Sequence, residues 1–166
     1  MPRPIRYRAS YPIPADELYT TLVSREFLQA KLDAVGGGNA ALLDLASDAD
    51  SAKYTLRQGV SREYLPGAVQ KVLRGDLVIE RSESLRKVAD GRYEGSITAR
   101  VKDAPGTISG SLLISAPDGV QGVFEVDGQV KVDIPLVGGK IESAVADQVL
   151  RLMGREADFA QRYLSG

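Results

Sequence analysis

The chain has 166 residues, 43% of them hydrophobic, with 21 basic and 22 acidic side chains and neither cysteine nor histidine. The missing residues exclude disulfides, thiolate nucleophiles, Cys/His metal sites and imidazole acid–base catalysis. The balanced charge, without a basic stripe, argues against a nucleic-acid partner. No run approaches the ~20 apolar residues of a membrane-spanning helix, and Met1 to Pro4 lead into no apolar signal segment. We therefore expect a cytoplasmic protein with a single domain over residues 1–166.

The first part of the chain predicts one strand followed by two short helices. Apolar and polar residues alternate over residues 5–11, which indicates a half-buried strand. Pro14, followed by two acidic residues, suits the start of one helix, and Ser24 suits the N-cap of the next. The glycines at 36–38 then end the second helix, because glycine readily adopts the left-handed conformation found there.

The middle of the chain predicts three strands and a short helix. Strands over residues 40–45 and 52–60 precede a helical turn at 66–73, and residues 77–88 return to a strand pattern. The apolar side chains of the helical turn, Val69, Val72 and Leu73, must be covered by something. They favour either a lid over a cavity mouth or a simple connector.

Two hairpins follow. A four-residue loop at residues 103–106 predicts that Val101 pairs with Ile108. For the next turn, a three-residue loop with Gly119 in the left-handed conformation predicts that Leu112 pairs with Phe124. Both registers keep the apolar residues on one face of the sheet.

The last part of the chain predicts a long strand that feeds a long helix. Residues 120–134 keep one period of two, so we expect a single strand bent at Gly128 rather than a hairpin. From Gly138 to Leu164, apolar residues recur at steps of three, four or seven, as on one face of a helix roughly 35–40 Å long. This stripe consists of Ile141, Val145, Val149, Leu152, Phe159 and Tyr163.

This order of elements resembles the START-like, or helix-grip (SRPBCC), superfamily, and more closely an uncharacterised actinobacterial family within it. The supporting motifs are Ile5-Arg6-Tyr7, Leu65-Pro66 with Val69 and Val72, and the stretch VDIPLVGGKIE at residues 132–142. The resemblance implies an α+β fold in which a curved antiparallel sheet of about six to seven strands wraps around the C-terminal helix and encloses an apolar cavity. Relatives carry lipids, sterols or polyketides, cyclise or hydrolyse them, or bind another protein, and the resemblance supplies no catalytic motif.

The predicted cavity takes its walls from the sheet and the long helix. The residues expected to bind a ligand are Tyr7, Tyr54, Arg81, Glu83, Tyr93, Ile97, Leu112, Phe124, Val126, Val145, Val149 and Leu152. Aromatic residues on alternating strands are more often ordinary core than pocket lining, and this alternative applies to the aromatic members here. Glycines on the inward face either leave room for a ligand or let the sheet bend around the helix. These glycines are Gly95, Gly110, Gly122 and Gly128.

The strand at residues 77–88 carries charge on both faces. If its odd residues point inward, Arg81 and Glu83 enter a face that should be apolar, where an unpaired ion is very costly. Such a pair predicts a polar anchor for a ligand head group. The alternatives are a solvent-exposed strand end, or pairing with Arg92 and Arg100 on the neighbouring strand.

We expect the protein to bind a small hydrophobic or amphipathic ligand without catalysis, cofactor or metal. A first alternative is a cyclase or hydrolase using carboxylate, tyrosine or arginine groups, which a cavity carboxylate within hydrogen-bond reach of a tyrosine would favour. A second is a protein-interaction module, which predicts no cavity of about 300 Å³ and a contiguous exposed apolar patch instead. The apolar Leu136-Val137 suits either a cavity mouth or a partner contact.

Overall fold

A computed structural model describes residues 2–72, 74–102 and 105–166. The strands are β1 (Arg3–Tyr11), β2 (Ala41–Ser47), β3 (Ser51–Val60), β4 (Leu77–Ala89), β5 (Arg92–Val101), β6 (Gly106–Ser115) and β7 (Gly122–Val132). The helices are α1 (Ala15–Leu22), α2 (Arg25–Val35), α3 (Gly67–Val72) and α4 (Gly138–Ser165), with a 3-10 helix at Arg62–Tyr64. One strand, two helices, six strands and a long helix confirm the predicted order.

The seven strands form one antiparallel curved sheet in the order β1-β7-β6-β5-β4-β3-β2. Strands β2 to β7 pair in chain order as a meander, and β1, the first strand of the chain, pairs with β7 at the far edge. Helix α4 packs against β1, β7, α2 and α3, and the apolar core lies between these helices and the inner face of the sheet. No helix within the described ranges is both long and apolar enough to cross a bilayer.

The two short helices begin and end where the sequence predicts. Ser24 caps α2, because its hydroxyl accepts a hydrogen bond of 3.2 Å from the backbone N–H of Phe27. Gly37, two residues beyond α2, has a φ of 76°. This left-handed conformation explains why glycines follow the helix.

Both predicted hairpin registers were wrong by two residues. In the structure Ala99, not Val101, pairs with Ile108, and Leu112 pairs with Val126 rather than with Phe124. Because side chains alternate with a period of two, a shift of two residues leaves the same side chains facing inward. The predicted inner face therefore stands although the partners differ.

The loops explain the two register errors. Strand β6 already begins at Gly106, so the first loop starts one residue earlier than predicted. Residues 103 and 104 of this loop lie outside the described part of the chain. Leu73, which was predicted to belong to the lid, also lies outside it. The second loop has six residues, 116–121, instead of three. Its Asp118 carboxylate accepts hydrogen bonds of 2.8 Å from the backbone N–H groups of Val120 and Gln121, which stabilises the wider turn.

Three of the four inward-facing glycines, Gly95, Gly110 and Gly128, lie where neighbouring strands approach each other closely. A Cβ atom would lie 1.6 Å from the carbonyl oxygen of Ser84 at Gly95 and 2.6 Å from that of Asp127 at Gly110. Such distances are shorter than real Cβ contacts, so a side chain at either position would force the strands apart. These contacts favour a bent sheet over space left for a ligand.

Candidate functional site

A cavity of about 50 Å³ lies between the sheet and the C-terminal half of α4. Its lining residues are Tyr7, Tyr11, Leu22, Phe27, Lys31, Tyr54, Arg81, Glu83, Leu85, Phe124, Val126, Met153, Glu156, Ala157 and Ala160. One part of this wall is apolar and the other carries four charged side chains. We call Lys31, Arg81, Glu83 and Glu156 the ion cluster.

The ion cluster is centred on the carboxylate of Glu156. The Arg81 Nη2 donates to Glu156 Oε1 at 3.0 Å, and the Lys31 Nζ lies 3.9 Å from the same oxygen. Gln58 Nε2 donates to the other oxygen of Glu156 at 2.7 Å. Glu83 Oε1 lies 3.6 Å from the Arg81 Nε. Side chains from α2, β3, β4 and α4 therefore meet at one buried point.

Burial and opposite charges compete in setting the pKa values of this cluster. Burial alone would raise the pKa of Glu156, but the cations Arg81 and Lys31 outweigh it and lower this pKa to about 2. Burial lowers the pKa of Lys31, which Glu156 only partly offsets. For Arg81, the carboxylates of Glu156 and Glu83 outweigh burial and raise the pKa. Glu156 and Arg81 are thus both ionised at neutral pH.

Tyr54 adds a neutral hydrogen-bonding group beside the ion cluster. Burial, the charge of Glu83 and a hydrogen bond to that carboxylate raise the pKa of Tyr54 well above 10. The phenol therefore stays protonated and donates to Glu83. It is suited to donating or accepting hydrogen bonds, and it is a poor base at neutral pH.

Two buried polar atoms have no hydrogen-bond partner within the described residues, Arg81 Nε and Gln58 Oε1. The Arg81 Nε is 3.6 Å from Glu83, which is too long for a hydrogen bond. Arg81 is only 5% exposed and lines the cavity, so water does not replace the missing partner at a free surface. Each unpaired buried polar atom costs free energy, and such atoms are uncommon in folded proteins.

The apolar part of the wall is rich in aromatic side chains. The Phe27 ring lies 5.7 Å from that of Phe159 and 5.2 Å from that of Tyr163, centroid to centroid. Phe124 of β7 is half-buried, and Met153 of α4 is buried. The cavity is therefore bounded by the Phe27 ring, which packs against aromatic residues of α4 behind it, and by the flexible thioether side chain of Met153.

Comparison with known proteins identifies the family. The family model described as "Protein of unknown function (DUF2505)" matches residues 6–164. The chain belongs to the DUF2505 family. It is similar to the uncharacterized protein Rv0481c of Mycobacterium tuberculosis strain H37Rv, with 26% identity over 171 residues that cover 99% of this chain and 98% of that protein. The uncharacterized protein Mb0491c of Mycobacterium bovis matches to the same extent.

Solved structures show that this DUF2505 protein has a START-like fold. It is similar to the Zhui aromatase/cyclase from Streptomyces sp. R1128, with a TM-score of 0.61, 11% identity and coverage of 99% of this chain and 96% of that one. It is also similar to a START superfamily protein from Mycobacterium smegmatis, with a TM-score of 0.54, 12% identity and coverage of 97% and 98%. Norcoclaurine synthase from Thalictrum flavum gives a TM-score of 0.56 at 12% identity, covering 96% and 87%. The predicted family and fold class are confirmed.

The structure divides the twelve predicted ligand-binding residues into two groups. Those that line the cavity are Tyr7, Tyr54, Arg81, Glu83, Phe124 and Val126. Those that are buried elsewhere are Tyr93, Ile97, Leu112, Val145, Val149 and Leu152. Tyr93 stacks on Tyr19 with ring centroids 4.1 Å apart and donates to Asp16 Oδ1 at 2.6 Å, so it fixes α1 to the sheet. Ligand binding by any of the twelve stays a prediction.

The odd residues of β4 face inward, which resolves the register left open by the sequence. Arg81 and Glu83 are each 5% exposed. Arg81 pairs with Glu156 and Glu83, so the alternative of pairing with Arg92 and Arg100 does not apply to these inward residues, whereas the exposed Glu80 lies opposite Arg100 in the sheet.

Sequence reasoning missed Lys31, Gln58 and Glu156. A signal for Glu156 was present, because it falls on the apolar stripe of α4, four residues after Leu152 and three before Phe159. A signal for Lys31 was present too, because it lies four residues after Phe27 on the apolar face of α2. A charge on an otherwise apolar helix face predicts a buried partner of opposite charge. Lys31 and Glu156 have such partners, since they lie beside each other and Arg81 also pairs with Glu156.

The loop before α4 projects from the opposite end of the sheet. Leu136 has a φ of 71° and is fully exposed, and Val137 is 37% exposed. Neither residue lines the cavity. Helix α3, the described part of the proposed lid, packs against α4, and Gln148 of α4 donates to the carbonyl oxygen of Tyr64 at 3.4 Å. The described residues of α3 and of the loop before α4 therefore connect neighbouring elements, and none of them lines the cavity.

Proposed function

We propose that this DUF2505 protein binds a small amphipathic molecule between the sheet and α4. The polar end of the ligand contacts Arg81, Glu83 and Tyr54, and its apolar body lies against Phe27 and Met153. The observation that supports this proposal is the ion cluster in the cavity wall. Burying four charges is expensive, and apolar side chains of similar volume would often serve a purely structural core as well or better.

The size of the cavity sets what the site accommodates without rearrangement. Its 50 Å³ holds a group of a few heavy atoms, whereas sites for drug-sized ligands occupy about 300 Å³ or more. The polar end of a ligand fits this volume. A larger apolar body requires side chains to move, and Met153 and the half-buried Phe124 are the residues best placed to do so.

Proteins of the same fold handle small molecules of this kind. The Zhui protein is an aromatase/cyclase, and the norcoclaurine synthase structure is a complex with dopamine and hydroxybenzaldehyde. At 11–12% identity these proteins share the fold with this chain, and no site residue is carried over from them. They support the proposal by showing that this fold accommodates small aromatic ligands.

Native mass spectrometry of the purified protein tests the proposal. We expect an extra mass that disappears on denaturation, and we expect Ala157→Leu, which fills the cavity from α4, to abolish it. Ala34→Leu, on an exposed part of α2, is the matched control and should retain the extra mass. An extra mass that survives in Ala157→Leu would show that the ligand binds elsewhere. If the protein carries no extra mass and a panel of aromatic ketones, phenols and fatty acids leaves its Tm unchanged, the proposal fails.

A second candidate function, an enzyme, is favoured by one observation. Tyr54 is hydrogen-bonded to Glu83, and both line the cavity. This is the carboxylate–tyrosine pair that the cyclase or hydrolase alternative requires. In that role Tyr54 would turn its single O–H from Glu83 to a substrate carbonyl oxygen and polarise it. Incubation of the extracted ligand with the wild-type protein and with Tyr54→Phe distinguishes the two functions, since only an enzyme converts the ligand, and only with Tyr54 present.

The protein-interaction alternative meets one of its two conditions. The cavity is smaller than a typical ligand site. The large exposed apolar residues of the described chain are dispersed over β2, the 3-10 helix, β4, two loops and the end of α4, rather than forming one surface. They are Leu43, Tyr64, Val88, Val120, Leu136, Val137 and Tyr163. This distribution favours the ligand-binding proposal over a docking surface.

A further inference from the structure

We infer that the polar group bound beside the ion cluster is a neutral oxygen acceptor, of the kind carried by a ketone, and that carboxylates and amines are rejected. This inference rests on the proposed function and specifies the chemical class of its ligand. It follows from two properties of the cavity wall, its charge balance and its unused hydrogen-bonding groups.

The charges of the ion cluster are already balanced. Lys31 and Arg81 contribute two cations, and Glu83 and Glu156 contribute two carboxylates, with no side chain among them more than 12% exposed. A ligand carboxylate would add a third anion to this volume, and an ammonium group a third cation. Either would leave one buried charge without a counter-ion, which is strongly unfavourable. A neutral ligand leaves the balance intact.

The strongest hydrogen bonds of the cluster are also already made. The Arg81 Nη2 and the Gln58 Nε2 both donate to Glu156, at 3.0 and 2.7 Å. Tyr54 donates to Glu83. A ligand anion would have to displace one of these carboxylates from its donor, whereas a neutral oxygen needs only a donor that is free.

An unpaired donor belongs to a residue of the cavity wall. The Arg81 Nε–H has no hydrogen-bond partner within the described residues and is itself shielded from solvent, so a ligand atom reaches this donor when the Arg81 side chain shifts slightly towards the cavity that it lines. The Lys31 ammonium lies 3.9 Å from Glu156, beyond hydrogen-bond length, and it too lines the cavity. Both groups are donors, so the complementary ligand atom is an acceptor. Gln58 Oε1, the other unpartnered atom, belongs to a residue outside the cavity lining.

Size is consistent with this assignment. A carbonyl group and its two neighbouring carbons fit a volume of about 50 Å³, which leaves the rest of the ligand against the apolar wall. A carboxylate of similar size would fit equally well. Charge and hydrogen bonding, rather than shape, therefore determine the selectivity.

Acetophenone and benzoate test the inference, because they have nearly the same size and shape and differ in charge. Their affinities for the full chain are measured by titration calorimetry at pH 7 in 150 mM NaCl, and the Arg81 Nε–H signal is followed by ¹H–¹⁵N NMR, assigned by its loss in Arg81→Lys. We expect acetophenone to bind at least ~10-fold more tightly than benzoate and to shift the Arg81 Nε–H signal. Equal or tighter binding of benzoate would overturn the inference while leaving the binding function standing. Binding of neither probe would overturn the inference, and native mass spectrometry with the wider ligand panel would then decide the binding function separately.

A variant that removes one carboxylate from the ion cluster tests the same inference, because it should make the cavity accept an anion. Glu83→Gln removes one carboxylate beside the Arg81 Nε and leaves the cluster with one excess cation. We expect it to raise the affinity for benzoate by at least ~10-fold, with little change for acetophenone. Glu94→Gln, on the exposed face of β5, is the control and should change neither affinity. Unchanged selectivity in a folded Glu83→Gln protein would overturn the inference; if this variant does not fold, the comparison of the two probes on the wild-type chain decides it.

Discussion

Glu156→Gln removes the charge on which the ion cluster is centred while keeping nearly the same shape. In the variant Arg81 and Lys31 lose their common partner, and only Glu83 remains to balance two buried cations. Breaking a buried ion pair by removing one partner typically costs about 3–5 kcal/mol, because the remaining charge stays desolvated. We therefore expect a folded but markedly less stable protein.

The pKa of Glu156 gives an independent magnitude. Its fall from 4.5 to about 2 on folding corresponds to about 3 kcal/mol of stability at ~1.4 kcal/mol per pKa unit. For a chain of this length 1 kcal/mol corresponds to about 2–4 °C in Tm, so the variant should melt about 10 °C lower at pH 7.

The pH dependence of this difference provides the sharpest test. Because the folded pKa lies below the unfolded one, the contribution of Glu156 is fully present above about pH 4.5 and is lost as pH falls towards 2. Urea denaturation followed by far-UV circular dichroism measures the free energy of unfolding of both proteins from pH 7 to pH 2.5. The gap of about 3 kcal/mol should narrow steadily below pH 4.5.

Two results would refute this reasoning. A gap that keeps its size down to pH 2.5 would show that the variant loses packing rather than a paired charge. A gap below about 1 kcal/mol at pH 7 would show that the cluster is solvated like a surface ion pair. Glu94→Gln, which removes an exposed carboxylate of β5, should lie close to the wild type throughout and controls for the change in net charge.

Three further predictions concern the core. Tyr93→Phe loses the hydrogen bond to the partly exposed Asp16 and should cost about 1 kcal/mol in thermal denaturation; no loss would mean that stacking on Tyr19 alone holds α1. Gly110→Val should cost at least about 2 kcal/mol, because its Cβ would lie 2.6 Å from a backbone oxygen of β7, whereas Gly154→Ala, with open space around it, should gain up to about 1 kcal/mol. Five tyrosines have raised pKa values, so the free energy of unfolding, measured by urea denaturation, should fall as pH rises above about 10; a free energy of unfolding that stays constant above this pH would contradict the prediction. They are Tyr7, Tyr11, Tyr19, Tyr54 and Tyr93.

Local periodicity was sufficient to predict the order of elements and the inner face of the sheet. The helix bounds at Ser24 and Gly138 and the unbroken strand through Gly128 followed from capping and from the period of two. Strand register was less accessible, because a loop of four or six residues changes the partners without changing the face. The Asp118 turn shows why, since a side-chain hydrogen bond widened a loop whose length looked fixed by Gly119.

The candidate site was only half accessible because its contacts are distant in sequence. Arg81 and Glu83 stood out as charges on a strand that should be apolar, yet the partner Glu156 lies 75 residues from Arg81. Several predicted wall residues, such as Ile97 and Val149, lie in the hydrophobic core outside the cavity lining. Alternation shows that a side chain points inward, but it does not show whether that side chain meets a cavity or another side chain.

The arrangement around Glu156 also bears on how the fold can open. One carboxylate holds α2 through Lys31, β3 through Gln58 and β4 through Arg81, so none of these elements separates from α4 without leaving a buried charge or a buried hydrogen-bonding group unpaired. Opening therefore tends to be cooperative, and the amides of these elements should exchange with solvent as one unit. A molecule that enters the cavity must then either fit the closed state or wait for a concerted opening event. Its association rate would be limited by that event rather than by diffusion.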